Sequence, residues 1–461
     1  MQTATLPPWS SKTAVSTPLL VRWPATHISG WEAISTRSTP VQMLDGSVTA
    51  DWLIIGAGFA GLSAARRLSQ LRPDDHIVVV DAHEVAKGPA GRNSGFMIDV
   101  PHSLSSGEYS VAGESSTALE ISQNRFAIDF AAQAASEYGM APTTFDSSGK
   151  INAAASQRGL KLNAKYAESL KGIGERFELL DAAQMREITG TGYYLGGLRT
   201  PGAVMIQPAQ YIRDLVDGLA GKIILYERSP VVELARAGSD WVARSPQGQV
   251  TAPKVILAVN GHIEDFGHFK GRLLHVFTYA SMTAAYSDDA LCRAATGQSR
   301  WALLPADPMG ATVRKITEGG QSRIVIRTKF TYDPSIQVTS QRVAEVAREQ
   351  RLSLDARFPE LKTTPLEFSW AGRLCLSRNS APAFGEVEEN LYSACCENGL
   401  GTVKSTLAGV MAAELATGTT SKFLDTFSRG PQPSMLPPKI ITSLGVGSVI
   451  RWQALRAGRE G

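Results

Sequence analysis

Cysteine and histidine are scarce, four and seven in 461 residues. Cys292, Cys375, Cys395 and Cys396 form no C-x-x-C pair, and neither they nor His262 and His268 show metal-ligand spacing, so no metal is expected. The adjacent Cys395-Cys396 reads as small apolar residues of a buried strand, with a redox pair as the alternative, and a reduced, cytoplasmic setting fits such cysteines. No apolar run is long enough to span a bilayer, and the N-terminus lacks the charged start and apolar stretch of a secretory signal. Lys+Arg 46 against Asp+Glu 43 leaves no concentrated basic face, which argues against nucleic acid as a partner. Internal repeats and low-complexity segments are also missing. Residues 1–48, rich in Pro, Ser, Thr and Trp, read as an arm that wraps the domain or reaches a partner subunit in a homo-oligomer.

Against those absences stands one dense signal. Asp51-Trp52-Leu53-Ile54-Ile55 is a short apolar strand, Gly56-Ala57-Gly58-Phe59-Ala60-Gly61 is a G-x-G-x-x-G turn, and an apolar helix follows. The next strand, His76–Val80, ends in Asp81, 81 − 61 = 20 residues past the last glycine. This is the fingerprint of a dinucleotide-binding βαβ unit. Gly56 allows the tight turn, Gly58 admits a pyrophosphate, and Gly61 lets the helix pack on the strand. The helix N-terminus offers unpaired N–H groups to phosphate, and Asp81 can accept ribose hydroxyls. The motif leaves NAD and FAD both open.

A chain of 461 residues, 43% hydrophobic, is too long for one compact core. Helices are predicted over 116–139, 156–175, 181–188, 207–219, 338–353 and 402–416. Strands are predicted over 149–154, 223–226, 231–234, 254–261 and 390–395, with a hairpin pairing 241–244 and 249–252 and mostly strands over 272–332. Strand, turn and helix recur at 390–416, so the material between must supply a second, strand-rich domain. The expected partition is an arm at 1–48; a nucleotide domain from 49–110, 205–262 and 370–425; a substrate domain from 111–204 and 263–369; and an extension at 426–461 ending in a short helix.

Three stretches together resemble the FAD-dependent D-amino-acid-oxidase superfamily, and within it the γ-glutamylputrescine-oxidase-like branch. They are Gly56–Gly61 with Asp81 and Gly88-Pro89-Ala90-Gly91-Arg92-Asn93-Ser94-Gly95; Trp370-Ala371-Gly372-Arg373 through Pro382-Ala383-Phe384-Gly385; and Gly399-Leu400-Gly401-Thr402. The likeness covers roughly residues 45–461. It implies an α/β fold: a discontinuous Rossmann-like FAD-binding domain plus an α+β substrate domain with a mainly antiparallel sheet. It implies FAD over NAD. The adenine half would sit over Gly56, Gly58, Phe59, Ala60, Gly61, Asp81 and Ala82, with Val231, Ala258 and Asn260 beside it. Gly91, Arg92, Asn93, Ser94, Gly95, Phe96 and Gly372 would line the flavin side. Gly399, Leu400, Gly401 and Thr402 would aim a helix N-terminus at the flavin pyrimidine ring, where reduced flavin carries negative charge.

The departures from the family pattern matter too. Some relatives attach flavin through a cysteine; Gly372 stands there and Cys375 is off by three, so non-covalent FAD is expected. The two basic residues that hold substrate carboxylate in sarcosine oxidases fall on Met97 and Val403, both apolar. The chemistry implied is hydride transfer from a primary or secondary amine or amino acid to flavin N5, followed by imine hydrolysis, with O₂ or another acceptor taking the electrons. An oxidase leads. The alternatives are a dehydrogenase that passes electrons to a quinone or carrier, and a non-catalytic FAD-binding assembly or electron-transfer protein. No catalytic side chain is named. Substrate-pocket candidates are Met97, His102, an aromatic wall of Trp301 and Tyr332, Lys329 as a substitute oxygen-activating lysine, and Arg373 for a substrate acid.

Overall fold

The computed structural model describes residues 27–101, 114–289 and 294–461. Its centre is a six-stranded sheet in the order Ile224–Tyr226, Ile77–Val80, Trp52–Ile55, Lys254–Leu257, Leu391–Cys395, Ala383–Glu388. All neighbours pair in parallel except the last two, which are antiparallel. Continuous apolar strands are what a sheet covered on both faces requires. Their side chains divide by alternation. Ile54, Val79 and Ile256 enter one core with the helices Phe59–Leu71 and Gly401–Thr417. Leu53, Ile55, Val78, Val80, Val255 and Leu257 enter another core. That second core is closed by a four-stranded sheet containing Gly46–Thr49, Gly248–Ala252, Asp240–Arg244 and Glu233–Ala237. The hairpin expected at 241–252 is there, with Trp241 opposite Ala252.

A nine-stranded sheet forms the other half, running from Leu366–Ser377 through Leu273–Thr283, Gln321–Tyr332, Thr312–Glu318 and Trp301–Pro305 to Lys150–Ala154, Gly196–Thr200 and Glu178–Leu180. Most pairings are antiparallel; Trp301–Pro305 with Lys150–Ala154 is parallel. Phe277 and Tyr279 face the helix Ser340–Arg357, in a cluster with Val343 and Val346. The strand Leu366–Ser377 runs across the expected boundary at 369/370, and the helix Glu114–Glu137 buries Ala127, Phe130 and Ala131 in the same core as the nucleotide helices. The two halves therefore share a core.

The arm, from residue 27 on, wraps its own chain. Ser29 Oγ donates to Gly91 O at 2.9 Å, Trp31 Nε1 donates to Asn93 O at 2.9 Å, and Arg37 pairs with the fully buried Glu227. At the other end, residues 439–457 form one long helix where a short one was expected. Among the described residues no helix is long and apolar enough to cross a membrane.

Candidate active site

The carboxyl ends of the central strands open into one cavity of about 320 Å³. Gly56 follows one strand, Asp81 another, Ala258 a third, and Cys396–Gly399 lead from a fourth; this is where ligands bind in open α/β sheets. Two helices begin at its edge. The helix Phe59–Leu71 has Gly58 as N-cap and Gly401–Thr417 has Leu400, and neither has a side-chain cap. Both leave first-turn N–H groups directed at the cavity rim, where negative charge is stabilised.

Two glycines of the first turn have distinct reasons. Gly56 adopts φ 105°, and a Cβ there would come 2.5 Å from Ala258 O. A Cβ on Gly61 would come 1.7 Å from Gly56 O, so helix and turn could not close. Asp81 Oδ2 accepts the Ala57 N–H at 2.8 Å and Oδ1 the His83 N–H at 2.8 Å. Burial raises its carboxyl to about 6, with the two amides pulling the other way.

Of the residues the resemblance places at FAD, Gly56, Gly58, Phe59, Ala60, Asp81, Ala82, Asn93, Ser94, Phe96, Val231, Ala258, Asn260, Gly372, Gly399, Leu400, Gly401 and Thr402 line this cavity. Gly61, Gly91, Arg92 and Gly95 stand behind it. Arg92 is spent on carbonyls, donating to Lys87 O at 2.8 Å and His27 O at 2.7 Å, which ties the loop to the arm. Gly91 lies against Ala86 O and Gly95 against Arg314 and Ile206 O, so a side chain at either would collide. The fit to a dinucleotide is carried by the uncapped helix starts and by Asn260, whose Oδ1 is buried without a protein partner on the cavity wall.

Of the substrate-side candidates, Met97, Trp301, Lys329 and Tyr332 do not line this cavity. Met97 is fully buried in a strand paired with Val204, and Val403 is fully buried in its helix. Trp301 stacks on Phe358 with ring centroids 5.8 Å apart and donates to Thr296 O, as a core residue does. Tyr332 bonds Ser443 on the C-terminal helix. None of these lines the cavity. His102 lies outside the described residues. Lys329 is turned away by a β-bulge: Thr278 pairs with Phe330 and Tyr279 with Thr328, so Lys329 is the extra residue, at φ 58°. Its Nζ meets the Glu349 carboxylate at 2.6 and 2.7 Å.

Arg373 does line the cavity. Its charge bears on His83 and His262, both cavity residues whose imidazoles are held near 4, first by burial and then by neighbouring positive groups. Arg373 itself sits on the strand Leu366–Ser377 of the nine-stranded sheet, opposite Phe277. The same sheet also lends the cavity Gly372, Thr278, Leu304, Arg327 and Phe330. The bulge brings Arg327 and Phe330 to one side despite their spacing of three, and the Arg327 guanidinium lies 5.1 Å from the Phe330 ring centroid.

Several residues escaped sequence reasoning because no motif marks them. Arg314 sits under the loop at 93–95, donating to Ser94 O at 2.7 Å and Ile206 O at 2.9 Å, with Trp31 5.1 Å away. Burial lowers it to about 9, so it remains charged at neutral pH. Glu397, raised to about 7 by burial, lines the cavity beside Ser405. Cys375, Cys395 and Cys396 are buried free thiols. No group of three metal-ligating side chains occurs among the described residues.

A family model described as FAD dependent oxidoreductase matches residues 51–415. Gamma-glutamylputrescine oxidoreductase of Escherichia coli (strain K12) is 25% identical over 424 residues, 88% of this chain and 92% of that protein. Glycine oxidase from Geobacillus kaustophilus superposes with a TM-score of 0.67 at 17% identity, covering 84% of this chain and 100% of that one. L-Amino acid deaminase from Proteus myxofaciens gives 0.64 at 14% identity, over 89% and 99% of the two chains.

Proposed function

The chain belongs to the FAD-dependent oxidoreductase (DAO) family, and from that premise we propose that it oxidises the carbon–nitrogen bond of a primary or secondary amine or amino acid and passes the electrons to O₂, giving H₂O₂. The observation that carries this reading is one cavity shared by two uncapped helix starts and a wall of the antiparallel sheet. The relatives point the same way by what they are called: an oxidoreductase of γ-glutamylputrescine, an oxidase of glycine and a deaminase of L-amino acids.

Bound FAD supplies the acceptor for the hydride of the amine's α-carbon. The chain's own residues hold and orient. Gly58, Asp81, Val231, Ala258 and Asn260 would hold the adenine and phosphate half; Asn93, Ser94, Phe96 and Gly372 the ring half; and the N–H groups at Gly401 and Thr402 would face the charge that reduction creates. Gly372 leaves room there: a Cβ would already touch Arg92 O at 3.0 Å. Thr278, Leu304, Arg327 and Phe330 would form the amine's side. The positions of the sarcosine-oxidase carboxylate clamp are core here, so an acid on the substrate would meet Arg327.

One observation favours a second reading. No lysine lines the cavity among the described residues, and Lys329 is engaged elsewhere, which suits a dehydrogenase using a quinone or carrier. The deciding experiment is an absorbance spectrum of the purified protein, titrated anaerobically with sarcosine, D- and L-amino acids, putrescine derivatives and N-alkyl amines, and then exposed to air. Bleaching with fast recovery and H₂O₂ supports the oxidase. Bleaching with slow recovery supports the dehydrogenase. A flavin that no amine bleaches removes the amine reading.

A further inference from the structure

The family match stops at residue 415, yet the chain continues into the helix Lys439–Ala457. This helix is fixed at both ends. Ser443 bonds Tyr332 at the end of the nine-stranded sheet. Beyond the helix, the Glu460 carboxylate accepts Ala155 N at 2.9 Å and Ser156 Oγ at 2.7 Å, while Arg357 donates to the carbonyls of Glu460 and Gly461 at 3.0 Å each. Thr442 and Ala457 are buried on the side that rests on the protein. The other side presents Ile440 76% exposed, Ile441 59%, Leu444 68%, Trp452 56% and Leu455 82%. At 100° per residue, Ile440, Leu444, Leu455, Ile441 and Trp452 fall within one 120° sector. A monomer in water does not keep so contiguous an apolar face without a use for it.

Charge selects the occupant. Lys439, Arg451, Arg456 and Arg459 are basic, and the one acid from residue 431 to the end, Glu460, is 2% exposed. Arg456 lies over the Trp452 ring at 4.4 Å, and Arg451 falls inside the apolar sector, where a long stem can lie flat and keep its head in the polar layer. A second copy of this helix would set its three positive groups, Lys439, Arg451 and Arg456, against three. An anionic surface complements them. We infer that the helix Lys439–Ala457 is an interfacial anchor that seats this protein on an anionic lipid bilayer, lying in the headgroup layer with Leu444, Trp452 and Leu455 inserted and its basic residues on the lipid phosphates. This does not depend on which amine is oxidised, and it places the enzyme beside acceptors that reside in the bilayer.

The test uses the full-length protein with its flavin and two kinds of vesicle, phosphatidylcholine alone and phosphatidylcholine mixed with phosphatidylglycerol. Expected is cosedimentation with the mixed vesicles and none with phosphatidylcholine, lost on raising salt. L444E/L455E abolishes it. R451Q/R456Q weakens it by roughly fivefold per charge removed. Both variants keep the wild-type flavin content, because the altered side chains touch neither the cavity nor the core. No cosedimentation, equal binding to both vesicles, or binding untouched by these variants overturns the inference. So does a dimer seen by light scattering that L444E/L455E converts to monomer, which would assign the face to a second copy.

Discussion

Gly409 stands against the backbone carbonyl of Ala60, so close that a Cβ would come 2.1 Å from that oxygen. The two residues belong to the helices that begin at the two uncapped turns, and this contact fixes how far apart those turns lie. The neighbour is backbone and cannot rotate aside. Gly409→Ala is expected to push the helices apart, costing about 1–3 kcal/mol as overpacking does, and to lower the flavin retained on purification. Thermal unfolding and the ratio of flavin to protein absorbance measure both. A variant with wild-type melting and full flavin would show that the helix pair does not set the cavity.

Lys329 tests the electron acceptor. Its bulge aims it at Glu349, which is 56% exposed, and a pair this solvated contributes little. Lys329→Ala is expected to leave reoxidation of the reduced flavin by O₂ within about twofold and stability within about 1 kcal/mol. Mixing anaerobically reduced protein with aerated buffer and following flavin absorbance gives the rate. A fall of a hundredfold would return the lysine to the cavity in solution and revive its oxygen-activating role.

Both residues show what sequence can and cannot carry. The βαβ unit was legible because its glycines answer local demands: Gly56 a positive φ, Gly61 a contact inside the same turn. The closing turn was legible as strand, glycine turn and apolar helix. The substrate wall was not, because alternation places Arg327 and Lys329 on one face and only the bulge separates them. Trp301 looked like a wall for an amine, but an aromatic in a strand looks the same whether it faces a ligand or Phe358. Arg314, Trp31 and Glu227 hold the cavity's loops across separations of about 60 to 220 residues, and single-sequence periodicity holds no information at that range.

Arg373 is the residue to replace in telling cofactor binding from substrate binding. Its charge bears on His83 and His262, two cavity residues on the dinucleotide side. Arg373→Gln is expected to weaken FAD binding to the apoprotein roughly tenfold to a hundredfold, the worth of a charged hydrogen bond of about 1.5–3 kcal/mol. Amine concentrations for half-reduction of the reconstituted protein would change little. Quenching of flavin fluorescence on titration gives the affinity. Intact FAD affinity with a selective loss of acidic amines would move Arg373 to the substrate.

Asp81 is expected to make FAD binding weaken toward acid pH. Both of its oxygens already accept backbone N–H groups, and ribose hydroxyls must be accepted by the lone pairs that remain. Its carboxyl, raised to about 6 by burial, is ionised at pH 7 and takes up a proton below that point. The proton occupies a lone pair that FAD needs, so affinity falls as pH drops through 6, approaching about tenfold per unit. Global stability changes by two opposed routes. A raised carboxyl costs the empty fold stability above 6, and that cost is relieved as the pH falls from 6 toward the unfolded value of 3.8. His83 and His262, lowered to about 4, act oppositely: the unfolded chain takes protons from 6.5 downward while the fold does not, so stability is lost between 6.5 and 4. Affinity must therefore be read by flavin fluorescence where circular dichroism shows the apoprotein folded. Asp81→Asn, which cannot ionise, is expected to bind FAD more weakly at pH 7 and to lose the step near 6. The same step in wild type and Asp81→Asn would assign it to another group, with Glu397, which lines the same cavity and is raised to about 7, as the first to replace by Gln.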